Sequence, residues 1–279
     1  MAHQSPAVPH GIGFAFSGGG SRAACQVGML RALVERGVTP SVVAGTSAGA
    51  VSATWYALNQ NLDTLESIWL ALRTRDIFPG SRLRIVSNFV RHGHVHAAHA
   101  WERFLRSHFG AATFGDLRIS APIVAVDLWD GTVTAFEDGE IVPALMATTA
   151  IPGVFPPCEY RGRVYVDGGV LQHLPVAPFI ARPVDTVYAL DCSYLLPAAP
   201  RGLSLIDRCQ RIAARANADA GSAALVARGI HVHLIRPPLP EIDDARSFGQ
   251  TAHLIETGYT FTSMYLDGLE SRQQAVGVH

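Results

Sequence analysis

Short apolar segments and longer segments with a helical period alternate along most of the chain. Residues 12–17 are rich in β-forming side chains, and residues 21–36 carry apolar side chains at the spacing of one helix face. Residues 41–45 and 48–59 repeat this order of strand and helix. We therefore expect strand–helix units packed side by side.

The rest of the chain continues this alternation, apart from one irregular stretch. Residues 62–115 show no clean period, and we expect helices and loops there. Further strands are predicted at 121–127, 132–136, 164–166, 184–190 and 230–235, and further helices at 142–149, 203–228 and 245–269. The pattern predicts one α/β domain over residues 10–275, with a mostly parallel sheet and helices on both faces.

The composition is that of a globular protein and argues against some partners. Of the 279 residues, 48% are hydrophobic and 16% are charged, so the chain can bury a sizeable core. A formal net charge of -1 argues against nucleic acid as a partner. Residues 73–91 contain five arginines, which is compatible with contact to an anionic lipid surface, although a solvated face is the simpler interpretation.

The cysteines and the apolar runs bear on the compartment. The chain has four cysteines, Cys25, Cys158, Cys192 and Cys209. They include no C-x-x-C pair, so they suggest neither a zinc site nor a disulfide framework. The first ten residues do not resemble a signal peptide, and no apolar run approaches the roughly 20 residues that cross a bilayer. We expect a cytoplasmic protein, with peripheral membrane contact and oligomeric state left open.

The pentapeptide Gly45-Thr46-Ser47-Ala48-Gly49 has the form G-x-S-x-G and lies between a predicted strand and a predicted helix. In this context the pattern forms a nucleophile elbow, whose glycines permit a sharp turn that holds the serine above the strand end. A simple glycine-rich turn before a helix is the alternative. Ser47 is the candidate nucleophile.

A second glycine motif, Gly18-Gly19-Gly20-Ser21-Arg22, follows the first predicted strand and opens the first helix. Consecutive N–H groups at a helix N-terminus can face an anion or a developing oxyanion. Tight helix–sheet packing would also explain the glycines. Gly18-x-Gly20-x-x-Ala23 fits the dinucleotide fingerprint as well, but the second strand does not end in an acidic residue, and no G-K-[ST] sequence occurs.

An acidic residue ends a later predicted strand, in the sequence Val166-Asp167-Gly168-Gly169. Ligand sites of open parallel sheets lie at the carboxyl ends of strands, so this carboxylate, the serine and the glycine loop should converge. A carboxylate with a raised pKa can accept the proton of a serine. Asp167 is the candidate base, and a surface turn is the alternative for a D-G-G sequence.

Histidines give two further hypotheses. A Ser–acid–His triad would need one of the histidines that follow Asp167, none of which has a local signature: His173, His231, His233, His253 and His279. The sequence alone does not exclude such a triad. A separate group has short spacings that could hold a metal ion: His92, His94, His96 and His99. Loop histidines exposed to solvent are the simpler interpretation.

Four blocks in this order resemble the patatin-like phospholipase family: the glycine loop, G-T-S-A-G, residues 150–157 (A-I-P-G-V-F-P-P) and D-G-G. The resemblance covers roughly residues 13–178. It implies a three-layer α/β/α sandwich, a dyad of Ser47 and Asp167 in place of a triad, and an oxyanion-hole loop of Gly18, Gly19 and Gly20 with Arg22. Family members commonly have glycine where this chain has Ala23, which bears on the fine geometry of the loop.

The resemblance also implies an activity, the hydrolysis of fatty acyl esters of phospholipids, lysophospholipids or other lipids, without metal or cofactor. Two alternatives stay open. An acyltransferase would pass the acyl group to an alcohol instead of water, and a lipid-binding or scaffold protein would keep the fold without turnover.

Overall fold

The computed structural model describes residues 11–78, 94–195, 203–240 and 246–276. Its strands are β1 (Gly11–Phe16), β2 (Val42–Thr46), β3 (Ile123–Asp127), β4 (Thr132–Phe136), β5 (Cys158–Tyr160), β6 (Arg163–Asp167), β7 (Val184–Leu190) and β8 (His231–Ile235). The α-helices in these residues are α1 (Ala24–Glu35), α2 (Ala48–Asn59), α3 (Leu62–Ala71), α4 (Thr74–Ile77), α5 (His99–Phe109), α6 (Ile141–Thr148), α7 (Ala177–Ile180), α8 (Leu203–Val226) and α9 (Thr251–Val276).

All eight strands belong to one sheet, in the order β5-β6-β3-β2-β1-β7-β8, with β4 paired to β3. The strands β3, β2, β1, β7 and β8 run parallel, whereas β4 and β6 pair antiparallel with β3, and β5 pairs antiparallel with β6. The predicted α/β/α class is confirmed, and its sheet is mixed at one end. Strand β5 was not predicted, because three residues are too few to show a period.

The pairing of β3 explains how two distant motifs meet. Every residue of β3 pairs with β4, while its first two residues also pair with β2 and its last three with β6. Because a strand has two edges, β2 and β6 share one edge of β3. They approach each other end to end, since β2 runs parallel to β3 and β6 runs antiparallel. The carboxyl end of β2, at Thr46, therefore faces the carboxyl end of β6, at Asp167.

This arrangement corrects one expectation from the sequence. Asp167 was expected at the carboxyl end of another strand of a parallel sheet. It does end its strand, but β6 is antiparallel to its neighbours. The two motifs converge because the strands meet head to head, and not because parallel strands lie side by side.

The sheet carries a hydrophobic core on each face. Phe14 and Phe16 point to one face, where they join the core formed with α1, α2 and α9. Ala15 points to the other, where Phe179 and the α8 residue Leu225 cover the sheet. This alternation follows from the two-residue period of a strand.

Helices α1 and α9 are in backbone contact. A Cβ added to Gly28 would lie 1.9 Å from the Ile255 carbonyl oxygen, and one added to Gly258 would lie 2.0 Å from the Cys25 carbonyl oxygen. Only glycine permits this approach. Helix α9 is thereby fixed against α1 on the face of the sheet that carries the candidate site.

Two findings concern the predictions on membrane contact. Arg82, Arg84 and Arg91 of the basic stretch lie outside the described residues, while Arg73 is the N-cap of the short helix α4 and Arg75 lies within it. Within the described ranges, no helix combines the length and apolarity needed to cross a bilayer.

Candidate active site

Ser47 occupies a strained turn between β2 and α2. Its backbone has φ 54° and ψ −131°, a positive φ that a non-glycine residue rarely adopts. A Cβ added to Gly45 would lie 2.2 Å from Ala50 Cα, and one added to Gly49 would lie 2.3 Å from the Ser17 carbonyl oxygen. The two glycines therefore allow the turn and its packing against the glycine loop, which is the backbone geometry of a nucleophile elbow.

The predicted serine and aspartate are in direct contact. Ser47 Oγ donates a hydrogen bond to Asp167 Oδ2 at 2.6 Å. The other carboxylate oxygen, Oδ1, accepts the Gly169 N–H at 2.7 Å. Both side chains are buried, and the Asp167 N–H donates to the Ala150 carbonyl at 3.0 Å. The carboxylate is thus held with one oxygen on the hydroxyl, at a distance typical of a charge-assisted bond.

The environment makes Asp167 a stronger base than an ordinary aspartate. Burial raises the pKa of Asp167 to about 6, although the hydrogen bonds from Ser47 and Gly169 lower it. A carboxylate with this pKa is ionised at neutral pH and still has appreciable affinity for a proton. That combination is suited to general base catalysis.

Thr148 holds the backbone of the turn at Ser47 by a hydrogen bond that the sequence did not predict. The Ser47 N–H donates to Thr148 Oγ1 at 2.8 Å, and the Thr148 hydroxyl donates to the Val124 carbonyl. The serine amide is therefore engaged in the fold. Thr148 is fully buried at the last position of α6, and no local pattern distinguishes it from an ordinary helix threonine.

The glycine loop lies beside Ser47. The Gly18 N–H is already used, since it donates to the His173 carbonyl at 2.9 Å. For the N–H groups of Gly19 and Gly20, the described part of the chain provides no hydrogen-bond acceptor. Gly20 has φ +59° and lines the same pocket as Ser47. Of the three predicted glycines, Gly18 therefore anchors the loop, and the next two have amides left for a ligand.

Side chains behind the loop hold it in place. A Cβ on Gly19 would lie 2.3 Å from Cys192 Sγ, and the Cys192 thiol donates to the Gly18 carbonyl at 2.9 Å. Arg22, in the 3-10 turn Gly20–Ala23, is only 5% exposed. Ala23 is fully buried in the core, at the position where the family commonly has glycine.

The histidine hypotheses have different outcomes. The Ser47 hydroxyl donates to Asp167 with no histidine between them. His173 lies beside the glycine loop: its Nδ1 would lie 3.3 Å from a Cβ on Gly18, and its Nε2 is 3.9 Å from Asp191 Oδ1. Burial lowers the pKa of His173, which favours the neutral ring. The other candidates lie elsewhere or outside the described residues: His231 and His233 on β8, His253 on α9, and His279.

The second histidine group does not form a metal cluster in the residues described. His92 lies outside them, and His96 is buried against the rings of Phe78 and Phe155. No set of three or more His, Cys, Asp or Glu side chains in the described ranges is positioned to hold a metal ion.

An apolar pocket extends from Ser47, and its predominantly hydrophobic and aromatic lining is typical of small-molecule sites. Ala48, Val51 and Trp55 of α2 follow one another along its wall, so the pocket reaches ~12 Å from Ser47 along the helix axis. Aromatic rings form much of the remaining wall: Trp69, Trp101, Phe104, Phe109, Phe155 and Phe248. Several of these rings come from residues 62–115, the stretch that shows no clean hydrophobic period.

Two of the indole N–H groups in the pocket wall are satisfied by their neighbours, whereas the buried Trp55 Nε1 has no hydrogen-bond partner in the described residues. Trp69 Nε1 donates to Ser52 Oγ at 3.0 Å, and Trp101 Nε1 donates to Thr149 Oγ1 at 2.7 Å. Neither indole N–H is left to select a polar ligand. The pocket wall is therefore mainly hydrocarbon, and the hydroxyl of Ser47 lies at one end.

A G-x-S-x-G turn at the carboxyl edge of a mixed α/β sheet, with a carboxylate on its serine, resembles the nucleophile elbow of hydrolases. The model of the patatin-like phospholipase family matches residues 14–180, and the chain belongs to this family. The family resemblance inferred from the four sequence blocks is confirmed, and the matched range agrees closely with residues 13–178.

The relatives share the same part of the chain. An uncharacterized NTE family protein of Mycobacterium tuberculosis is 32% identical over 180 residues, which cover 64% of this chain and 48% of that protein. Lysophospholipase NTE1 of Saccharomyces cerevisiae is 26% identical over 191 residues, 64% of this chain and 11% of that protein. The chain thus spans about half of the first relative and about a tenth of the second.

A solved structure extends the likeness to nearly the whole fold. The crystal structure of VipD from Legionella pneumophila superimposes with a TM-score of 0.54 at 15% sequence identity. The match covers 94% of this chain and 67% of that chain. At this identity the likeness concerns the fold alone.

Proposed function

We propose that this protein is a serine hydrolase that cleaves fatty acyl ester bonds of phospholipids, lysophospholipids or other lipids. The observation that carries the proposal is the 2.6 Å hydrogen bond from Ser47 Oγ to Asp167 Oδ2 at the end of an apolar pocket. Membership in the patatin-like phospholipase family and the likeness to a yeast lysophospholipase support the same chemistry.

The first half-reaction forms an acyl-serine. Asp167 accepts the Ser47 proton on Oδ2 while Ser47 Oγ bonds to the ester carbonyl carbon, and the carbonyl electron pair moves to the oxygen. The N–H groups of Gly19 and Gly20 donate to this oxyanion, and the Gly18 N–H remains hydrogen-bonded to the His173 carbonyl. When the oxyanion collapses, the ester C–O bond breaks and the leaving alkoxide takes the proton from Asp167.

The second half-reaction returns the enzyme to its starting state. Asp167 removes a proton from a water molecule, whose oxygen attacks the acyl-serine carbonyl carbon. Collapse of the second oxyanion breaks the bond to Ser47 Oγ, which recovers its proton from Asp167. The fatty acid leaves as the product. The same aspartate serves as base and then as acid in each half-reaction.

The pocket supports an acyl chain as the recognised part of the substrate. Hydrocarbon buried against its aromatic and aliphatic wall gains roughly 0.8 kcal/mol per methylene group. That wall offers few polar groups, so a polar headgroup would stay at the end of the pocket where Ser47 lies.

The deciding experiment uses a fluorophosphonate probe together with a panel of short-chain esters, lysophospholipids and diacyl phospholipids. The wild-type protein is expected to react covalently with the probe and to release fatty acid. Ser47→Ala is expected to lose both activities while it keeps the wild-type fold by circular dichroism. Undiminished turnover in Ser47→Ala would refute the assignment, and a wild-type protein that neither labels nor turns over would indicate a binding or scaffold protein.

An alcohol acceptor added to the same assay separates hydrolysis from acyl transfer. If water is the physiological acceptor, free fatty acid remains the main product when glycerol or a lysophospholipid is present. Dominant formation of a new ester would instead identify an acyltransferase.

A further inference from the structure

Exposed apolar side chains concentrate at the carboxyl edge of the sheet, where Ser47 lies. Ten large apolar side chains are exposed in the described residues, and six of them belong to this edge: Leu128, Trp129, Val170, Leu171, Leu205 and Ile212. We call these six residues the apolar rim. Scattered exposed apolar residues are normal, but a group around a site indicates an interaction surface.

One part of the rim is the turn between β3 and β4. Thr46, the last residue of β2, pairs with Val124, so β3 continues three residues beyond the end of β2. The turn therefore projects ~10 Å past the strand that carries Ser47. Trp129 lies in this turn with 65% of its surface exposed, next to the half-exposed Leu128. An exposed tryptophan on a projecting turn is suited to the interface between water and lipid.

The other parts of the rim lie near Asp167 and on α8. Val170 and Leu171 follow Asp167 by three and four residues, and the Asn217 side chain of α8 donates to the Leu171 carbonyl. Ile212 lies about one turn before Asn217, and Leu205 lies two turns before Ile212 on the same helix face. The rim therefore extends on both sides of the Ser47–Asp167 pair.

The position of α8 relative to the sheet is given by its contacts. Arg211 donates to the carbonyl of Tyr194, which follows the carboxyl end of β7. At the other end of the helix, Val226 leads into β8 at its amino end. The first half of α8 thus lies at the edge that carries Ser47, and Val226 lies at the opposite edge.

The charge of α8 favours lipid over a second copy of the chain. Helix α8 contains three arginines, Arg208, Arg211 and Arg215, and two acidic residues, Asp207 and Asp219, so its net charge is +1. A basic helix with exposed apolar side chains is typical of contact with anionic phospholipid. An isologous dimer through the rim would instead bring the same arginines towards each other and cover the end of the pocket at Ser47.

The geometry points to the apolar rim as a docking surface for a phospholipid bilayer, with a preference for anionic headgroups. Trp129 and Leu128 enter the interface on one side of the site and Ile212 and Leu205 on the other. Ser47 then faces the bilayer, and a fatty acyl chain enters the pocket from it. The inference deepens the proposed function because it gives the form in which the substrate is met. Docking itself does not require turnover.

The test is vesicle co-flotation of the Ser47→Ala protein, so that binding is measured without hydrolysis. Vesicles of phosphatidylcholine are compared with vesicles that also contain phosphatidylglycerol. Trp129→Glu and Ile212→Glu should each weaken binding about tenfold or more, because each removes a buried apolar side chain and adds a negative charge. Val226→Glu is the matched control: it is a similar change on the same helix, at a residue 58% exposed on the opposite edge, and it should leave binding unchanged.

Each outcome decides the proposal. Equal vesicle binding by Ile212→Glu, Trp129→Glu and Val226→Glu would overturn it, as would a solution dimer that Ile212→Glu dissociates. In the active protein, the two rim variants should keep wild-type hydrolysis of a water-soluble ester and lose hydrolysis of vesicle lipid. If the protein hydrolyses no ester at all, the proposed function fails, whereas vesicle binding still tests the rim.

Discussion

Replacement of Asp167 by asparagine should stabilise the protein at neutral pH while it abolishes ester hydrolysis. The folded-state pKa of Asp167 is raised to about 6, against 3.8 for an ordinary aspartate. Between these values the folded protein binds the proton more tightly than the unfolded chain does. The contribution of protonated Asp167 to the free energy of unfolding is therefore fully present below pH ~4 and is lost as the pH rises through about 6.

The magnitude follows from the shift of about 2 pKa units. At 1.36 kcal/mol per unit, ionised Asp167 costs the folded state about 3 kcal/mol above pH 7. Asparagine stays neutral at every pH, keeps an oxygen for the Gly169 N–H and presents its amide to Ser47 Oγ. Asp167→Asn should thus be close to wild type in unfolding free energy near pH 4 and about 3 kcal/mol more stable near pH 8.

Urea denaturation of both proteins from pH 4 to pH 8 measures this difference. A difference of 3 kcal/mol is a large part of the 5–15 kcal/mol of a typical domain, so it is well within reach of the method. The Ser47→Ala variant provides a control, because loss of the hydroxyl donor should raise the pKa of Asp167 and move the transition to higher pH. A stability difference between Asp167→Asn and wild type that does not change with pH would refute the claim that burial holds this pKa high.

Three further predictions concern the site and the pocket. The kcat/KM for a water-soluble ester should fall about tenfold per pH unit below pH 6, because only ionised Asp167 accepts the Ser47 proton; a flat acid limb would contradict this role. Thr148→Val should leave the buried Ser47 N–H without an acceptor, and urea denaturation should show an unfolding free energy lower by about 1–3 kcal/mol. Labelling by the fluorophosphonate probe should also be slower. A wild-type unfolding free energy and a wild-type labelling rate would show that the turn at Ser47 does not depend on the hydrogen bond to Thr148. Val51→Phe should block the pocket about one helical turn, ~6 Å, from Ser47, so the turnover of long-chain esters should fall while the turnover of acetyl esters is kept. An equal loss of turnover for both kinds of ester would show that the acyl chain binds elsewhere.

The sequence by itself determined the local chemistry of the site. Gly45 and Gly49 on either side of Ser47 predict a tight turn, because residues without a Cβ atom avoid the clashes that a sharp turn would otherwise cause. The helix and strand periods gave α2 with its observed bounds, Ala48–Asn59, and β7 as Val184–Leu190. These features depend on residues close together in the chain, where side-chain periodicity and backbone freedom act directly.

Only the tertiary structure decided how the local motifs combine. The direction of β6 is set by its pairing with β3, and it brings Asp167 to Ser47 across 120 positions of the chain. Thr148 receives the Ser47 amide, and Gly18 gives its own amide to His173, although neither residue carries a local sign of that bond. The pKa of Asp167 is likewise a property of the finished fold, because it results from burial by residues distant in sequence.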